Sequence, residues 1–259
     1  MSNWAEKRKK RILLLTGLVF VVVAGTILFF VFNKKPTCFD QKMNGTEVGI
    51  DCGGVCQRVC RDEIRDIVVW WERPFRVSNG VYSTVAYFEN QNLDAGLQEL
   101  TYEFRLYNYD NVLISEPILG TTFIEPNKRS AVFESGITTG SEEAYTAFFK
   151  VSSVQDWKKT DPNFAYSLFE IGEPSLTNQD ISPRLSVEIT NTSLQNFIDI
   201  PVIVVLYNQK DNAIGASQTY VERINQGESA LAYFSWPEPF GDTVSRIEVL
   251  PRVNPFNQN

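Results

Sequence analysis

The sequence predicts a mainly β protein held at a membrane, with an N-terminal transmembrane helix, a small disulfide-rich neck and two tandem β-sandwich domains. Three observations predict it. Residues 12–32 form an apolar run without a charge, all four cysteines fall between positions 38 and 60, and from residue 62 onward short strand-like runs recur in two copies about one hundred residues apart.

The apolar run comes first. Twenty-one uncharged residues rising about 1.5 Å each reach roughly 32 Å as a helix, which matches the roughly 30 Å of a bilayer's hydrocarbon. A cleaved signal peptide has a shorter apolar core and small residues at its cleavage site. Here the run ends in Phe29, Phe30, Val31 and Phe32, so an uncleaved anchor is expected. Lys7, Arg8, Lys9, Lys10 and Arg11 precede it, and only Lys34 and Lys35 follow closely. That asymmetry places residues 1–11 as a basic cytoplasmic tail and the body in the extracellular or periplasmic space.

Charge divides the chain in the same place. The net charge is −7; residues 1–11 hold five basic side chains and Glu6, a net of +4, which leaves −11 on the remainder. Binding to duplex nucleic acid requires clustered Lys and Arg against phosphates, and nothing beyond residue 35 offers such a cluster. Nucleic acid is therefore not an expected partner. Membrane lipid, through the helix, and a protein of the cell envelope are.

Residues 33–61 form the neck. Cys38, Cys52, Cys56 and Cys60 stand at C-x13-C-x3-C-x3-C spacing in a segment too small to bury a core, which reads as two disulfides with three pairings open. A zinc site is disfavoured because ribbons use C-x-x-C knuckles and the chain has no histidine. Asp40, Asn44, Glu47 and Asp51 could supply oxygen ligands to a structural calcium ion. The alternative is that they cap turns, since Asp and Asn side chains bond nearby backbone and Gly53 and Gly54 accept positive φ. No other cofactor is expected. The stretch Cys38-Phe-Asp40-Gln-Lys-Met-Asn44-Gly-Thr-Glu47-Val-Gly-Ile-Asp51-Cys52-Gly53-Gly54-Val-Cys56 resembles a short module of bacterial surface and secreted proteins, C-x-D-G-x-x-N-x-x-E-x-x-x-D-C-G-G-x-C-x-x-C. It departs from that pattern at Gln41, where Gly is usual, and in the three residues between Cys56 and Cys60. The resemblance covers about a tenth of the chain.

Beyond residue 61 the runs are rich in Val, Ile, Phe, Tyr and Thr and are broken by Gly, Asn, Pro and Asp. Strands are expected near 67–71, 82–88, 100–107, 131–133, 148–154, 185–189, 201–207, 230–234 and 247–250. Alternation is plain in residues 101–106, where Tyr102, Phe104 and Leu106 share one face and Glu103 and Arg105 the other. The repeat is the stronger signal. Leu106-Tyr107-Asn108 recurs as Leu206-Tyr207-Asn208, the segment from Ile124 to Phe133 is echoed from Ile224 to Phe234, and Val85 to Asn90 has its counterpart in Val187 to Asn191. Two copies of about ninety-five residues with frequent turns have the size and cadence of immunoglobulin-like sandwiches, placed at residues 62–158 and 159–259, with residues 155–163 as a short linker. Each copy resembles bacterial Ig-like modules named for an F-x-L-Y-D strand ending: Phe104, Leu106, Tyr107 and Asn108 in one, Val204, Leu206, Tyr207 and Asn208 in the other. That resemblance implies a fold and transfers no catalytic residue.

Chemistry is sparse. Without histidine there is no Ser-His-Asp or Cys-His system, and the nucleotide-binding and zinc-protease motifs are missing. Glu142, Glu143 and Asp110 read as solvated loop charges, so no catalytic residue is assigned and a non-enzyme is expected. Of the adjacent Trp70 and Trp71 one should enter the core and one face out. Trp236 and Phe240 read as an apolar plug on a proline-stiffened turn. The N-x-[ST] triplets at Asn44 and Asn191 matter only in a glycosylating host. The expected role is adhesion, scaffolding or assembly of an envelope complex; the alternatives are a receptor or carbohydrate- or peptide-binding module and, less favoured, a hydrolase.

Overall fold

A computed structural model describes residues 3–32, 36–154, 156–161, 164 and 168–256. Lys34 and Lys35, and residues 155, 162 and 163 of the expected linker, lie outside the described residues. The chain divides into two compact units, residues 1–56 and 57–259.

In the first unit, helix α1 spans Asn3–Phe32 and is apolar and long enough to cross a membrane. Its two threonines do not leave hydroxyls unsatisfied: Thr16 Oγ1 donates to the Ile12 carbonyl at 2.9 Å and Thr26 Oγ1 to the Val22 carbonyl at 2.6 Å. In hydrocarbon such internal satisfaction is obligatory. All four cysteines are disulfide-bonded, and Cys38 pairs with Cys56.

The second unit is built from antiparallel sheets. Strands β1 (Val68–Ser78), β2 (Val81–Asn90) and β5 (Lys128–Thr138) form one sheet in the order β1-β2-β5, and β4 (Ile118–Ile124), β3 (Ala95–Tyr107) and β6 (Thr146–Val154) form another in the order β4-β3-β6. These face each other across a core that includes Phe88, Leu97, Phe104 and Ile124, none more than 2% exposed. Residues of the expected linker do not stand free of this core: Trp157 is buried in it, and β7 (Lys158–Lys159) pairs with the start of β3. The Val59 amide donates to the Trp157 carbonyl and the Lys159 amide to that of Gln57, so the chain leaving the neck is hydrogen-bonded along the same segment.

The second sheet pair repeats the first. Strands β8 (Phe169–Ile171) and β9 (Ser175–Thr177) both pair with β10 (Arg184–Asn191), which pairs with β13 (Ser229–Ser235); opposite lie β12 (Ala213–Ile224), β11 (Phe197–Tyr207) and β14 (Arg246–Pro251) in the order β12-β11-β14. β2, β3, β4, β5 and β6 thus correspond to β10, β11, β12, β13 and β14. Leu185, Val187, Val202, Val204, Leu206 and Phe234 fill the second core.

The repeated residues are the ones that turn the chain. Asn108 Oδ1 accepts from the amides of Asp110 and Val112, while its amide N–H donates to the Val112 carbonyl; Asn208 does the same with Lys210 and Asn212. Each turn then needs one left-handed residue, Asn111 (φ 58°) in one copy and Asp211 (φ 59°) in the other, residue types that tolerate it. A second matched pair is buried. Asn90 Nδ2 donates to the carbonyls of Ala95 and Glu125, and Asn191 Nδ2 to those of Gln195 and Ile224. Asn191 is fully buried and bonded, which removes it as a glycan acceptor in the folded chain.

Candidate functional site

Asp40, Asn44, Glu47 and Asp51 sit on the loop that the Cys38–Cys56 bridge closes. Their carboxylates are turned onto loop amides: Asp51 accepts from the amides of Asp40 and Gln41, Asp40 from that of Lys42, and Glu47 from that of Asn44. Asn44 Nδ2 donates to Asp40 Oδ2 at 2.9 Å, which together with backbone amides holds the Asp40 carboxyl below its ordinary value. Asn44 Oδ1 is buried without a partner. These amide bonds make Asp40, Glu47 and Asp51 caps of the loop's own backbone, while each carboxylate keeps lone pairs beyond the amides it satisfies. Glu47 also lies against the sulfurs of Cys38 and Cys56, but bridged sulfurs are not thiolates and offer no zinc-type ligand. Gly54 is required here, because its φ is 56° and a Cβ would collide with the Thr46 carbonyl.

The feature of the second unit with the most built geometry lies between the two sheet pairs. The outer face of β1-β2-β5 packs on the outer face of β12-β11-β14, burying Phe75, Val85, Tyr87 and Ala131 against Ile203, Val205, Tyr207 and Leu250. Strands β2 and β11 are consequently buried on both faces. Over residues 85–88 of β2 and 202–207 of β11, even-numbered residues enter the strand's own core and Val85, Tyr87, Ile203, Val205 and Tyr207 enter the junction. Trp71 joins this layer, stacked on Tyr87 at 5.3 Å between centroids, whereas Trp70 is exposed, its indole N–H donating to Glu89 and the Arg129 guanidinium 5.2 Å over its ring. Trp236 is buried in the second core, donates to the Ala216 carbonyl and meets Phe240, which leaves no room for a Cβ at Gly215.

Polar groups fasten the rim. Tyr87 and Tyr207, one from each sheet pair, both donate to Glu248, at 2.6 and 3.0 Å. Burial, with the Glu248 charge, pushes both phenols well above their ordinary value, so they remain donors. Arg73 donates across the junction to the Ala213 carbonyl at 2.8 Å. On the opposite flank the chain leaving β14 crosses to the first pair. There Arg252 Nε meets Glu125 Oε2 at 3.3 Å, both side chains being 5% exposed or less, while its other nitrogens donate to Thr122 Oγ1 and to the carbonyls of Ala131 and Phe123. Lys128 Nζ reaches Glu125 Oε1 at 2.8 Å and the Pro251 carbonyl at 3.0 Å. Burial alone would raise the Glu125 carboxyl; Lys128 and Arg252 outweigh it and hold it below its ordinary value.

Beside Arg252 opens a cleft of about 520 Å³. β4 and β5 of the first pair form one side, with Tyr102 and Glu134, and Gln218 and Tyr220 of β12 form the other. Tyr102 donates to Glu134 Oε1 at 2.6 Å, and Gly120 must lack a side chain because a Cβ would strike the Tyr102 ring. Glu125, Arg252, Glu134 and Tyr220 carry no motif. One signal in the sequence bears on the junction: residues 201–207 are apolar on both faces, where the matching residues 101–107 alternate.

No family model matches the chain, and no curated protein does. Among solved structures, a red sea bream transglutaminase is similar over 73% of this chain and 29% of its own, at 8% identity and a TM-score of 0.23. A β-glucuronidase from glycoside hydrolase family 2 is similar over 80% of this chain and 25% of its own, at 10% identity and a TM-score of 0.21. The chain therefore spans less than a third of either, and likeness at these scores assigns neither a fold family nor an activity.

Proposed function

We propose that this chain is a single-pass membrane protein whose two immunoglobulin-like sandwiches, residues 62–158 and 159–259, form a stiff extracytoplasmic arm for adhesion, scaffolding or assembly of an envelope complex, without turning over a substrate. The observation that carries this reading is the two-sided burial of β2 and β11, which joins two repeated domains into one body. Domains tethered only by a linker move relative to each other by default; a large apolar interface removes that freedom. A stiff arm suits a part that must hold a position in a complex. The anchor, the disulfides and the acidity of the body favour an extracytoplasmic setting, with the basic tail inside.

Two measurements test it. Protease added to intact cells should digest the body and spare the tail; protection until lysis would reverse the topology. Photo-crosslinking from the exposed loop positions Tyr109 and Tyr145 should give one discrete adduct with another envelope protein, and its yield should fall when the junction is loosened by Arg252→Ala. Turnover of a generic glycoside or ester, abolished by changing one carboxylate, would replace this reading with a hydrolase.

A further inference from the structure

The cleft between the sheet pairs has the size of a small-ligand site, and it lies at a junction between repeated domains, where such sites concentrate. What its walls offer narrows the ligand. Among the described residues the one cation lining the cleft is already engaged: Arg252 is committed to Glu125, to Thr122 Oγ1 and to the Phe123 and Ala131 carbonyls. A phosphate, sulfate or nucleotide would find no counter-charge there. The same contacts obstruct a peptide strand at one carbonyl on each edge. β4 and β5 are sheet-edge strands and would ordinarily template an added strand through their free backbone groups, yet Arg252 takes carbonyls from both.

What remains are neutral and acidic hydrogen-bonding side chains beside an exposed ring. Glu134 is partly buried and held by the Tyr102 hydroxyl on one oxygen. Thr121 lies on β4, and Gln218 Nε2 donates to the Tyr220 hydroxyl at 2.8 Å, so that amide and phenol stand together. Tyr220 is 65% exposed. A carboxylate and an amide pair well with adjacent hydroxyls, and an aromatic face packs on the C–H face of a ring. Both features describe recognition of a polyhydroxylated ring.

The geometry points to this cleft as a binding site for a neutral carbohydrate, with Glu134 and Gln218 taking ring hydroxyls, Tyr220 stacking on the sugar and Arg252 holding the floor. Tyr102 is a positioning residue that fixes the Glu134 carboxylate, and Gly120 makes room for it. The site does not depend on the assembly role.

The test uses the full chain in lipid nanodiscs, so that no glycoside detergent competes, titrated separately with cellotetraose, maltotetraose, xylotetraose and chitotetraose and read by saturation-transfer NMR and calorimetry. At least one should bind saturably, and Tyr220→Ala and Glu134→Gln should each weaken it tenfold or more. Glu134→Gln keeps an acceptor for Tyr102 and Tyr220 is exposed, so both variants should fold, which an unchanged thermal midpoint confirms. Absence of saturable binding by all four sugars overturns the assignment, as does binding that both variants leave intact. Tetralysine serves as a control: if it binds and Glu134→Gln abolishes that binding while no sugar binds, the cleft is a seat for a basic side chain instead.

Discussion

Arg252 and Glu125 hold the junction at the scale of single residues, and their energetics follow from burial. Ions at 5% and 2% side-chain exposure have lost their water, so each depends on the other, and Glu125 depends also on Lys128. Removing one partner of such a pair strands the remaining charge, at a cost of about 3–5 kcal/mol. Arg252→Ala should therefore destabilise the second unit by that amount in chemical denaturation. The double variant Glu125→Gln with Arg252→Met should lose less than the single one, because the buried guanidinium leaves with the carboxylate and the one ion that loses a partner, Lys128, is 30% exposed and keeps the Pro251 carbonyl. A pH dependence follows from the same carboxylate. Its folded pKa lies below the ordinary glutamate value, so its contribution is fully present above that value and is lost as pH falls through the folded value. Acid unfolding should accordingly steepen below about pH 4.5. Glu125→Gln, compared with the parent chain, should flatten that limb of the stability curve; an unchanged limb would place the acid sensitivity elsewhere.

The strands show which parts of the fold were legible and which were not. Eight of the nine expected strand segments lie wholly within observed strands, and the ninth, 67–71, overlaps β1 by all but Ile67. Period-two alternation and turn residues act locally, so a sequence displays them. The matched asparagines were likewise visible, because Asn108 and Asn208 perform one task in two places. Residues 155–163 were not legible as structure: Trp157 is buried only because a core exists across the chain to receive it, and polar neighbours disguised it. In the neck, residue types alone admit both calcium ligation and turn capping; that Asp51, Asp40 and Glu47 each face an amide of their own loop is set by the loop's conformation, which residue types do not display. Two predictions belong at this scale. Ile203 is 1% exposed and enters the junction rather than either core; Ile203→Ala should cost about 2–5 kcal/mol, as a strand buried on both faces requires and a solvent-facing residue would not. The Cys38–Cys56 bridge spans 18 residues and should stabilise its loop by about 3 kcal/mol by limiting the unfolded chain. Replacing both cysteines by serine should make the neck protease-sensitive. The thermal midpoint of residues 57–259, which form a separate compact unit, should stay unchanged.

At the scale of the whole molecule, the junction joins unlike faces of like domains. The first copy presents β1-β2-β5 and the second presents β12-β11-β14, whose counterpart in the first copy is β4-β3-β6. Such a head-to-tail contact does not close on itself, and among the described residues the outer faces of β4-β3-β6 and β13-β10-β8 have no sheet packed on them. The differences between the copies explain how the stack stops. Ile203, Val205 and Leu250 enter the junction, and the equivalent positions on the free face of the first copy are Glu103, Arg105 and Lys150. Tyr87 and Val85 enter it from the other side, and their equivalents on the free face of the second copy are Glu188 and Ser186. Residues shared between copies thus build each domain, while divergent ones decide which faces dock, and a search for similarity passes over the second kind. Burying Glu103 and Arg105 against another sheet would strip both of water, a cost their mutual ion pair does not remove. Leu119 and Phe148 already stand exposed on the same face, at 70% and 46%, so those charges are what separates it from an adhesive surface. Glu103→Ile combined with Arg105→Val should convert the chain into one that self-associates with rising concentration in sedimentation velocity. Returning either charge should restore the behaviour of the parent chain. A double variant that sediments like the parent at every concentration would show that these charges do not limit the stack, and the divergence between copies would then need another cause.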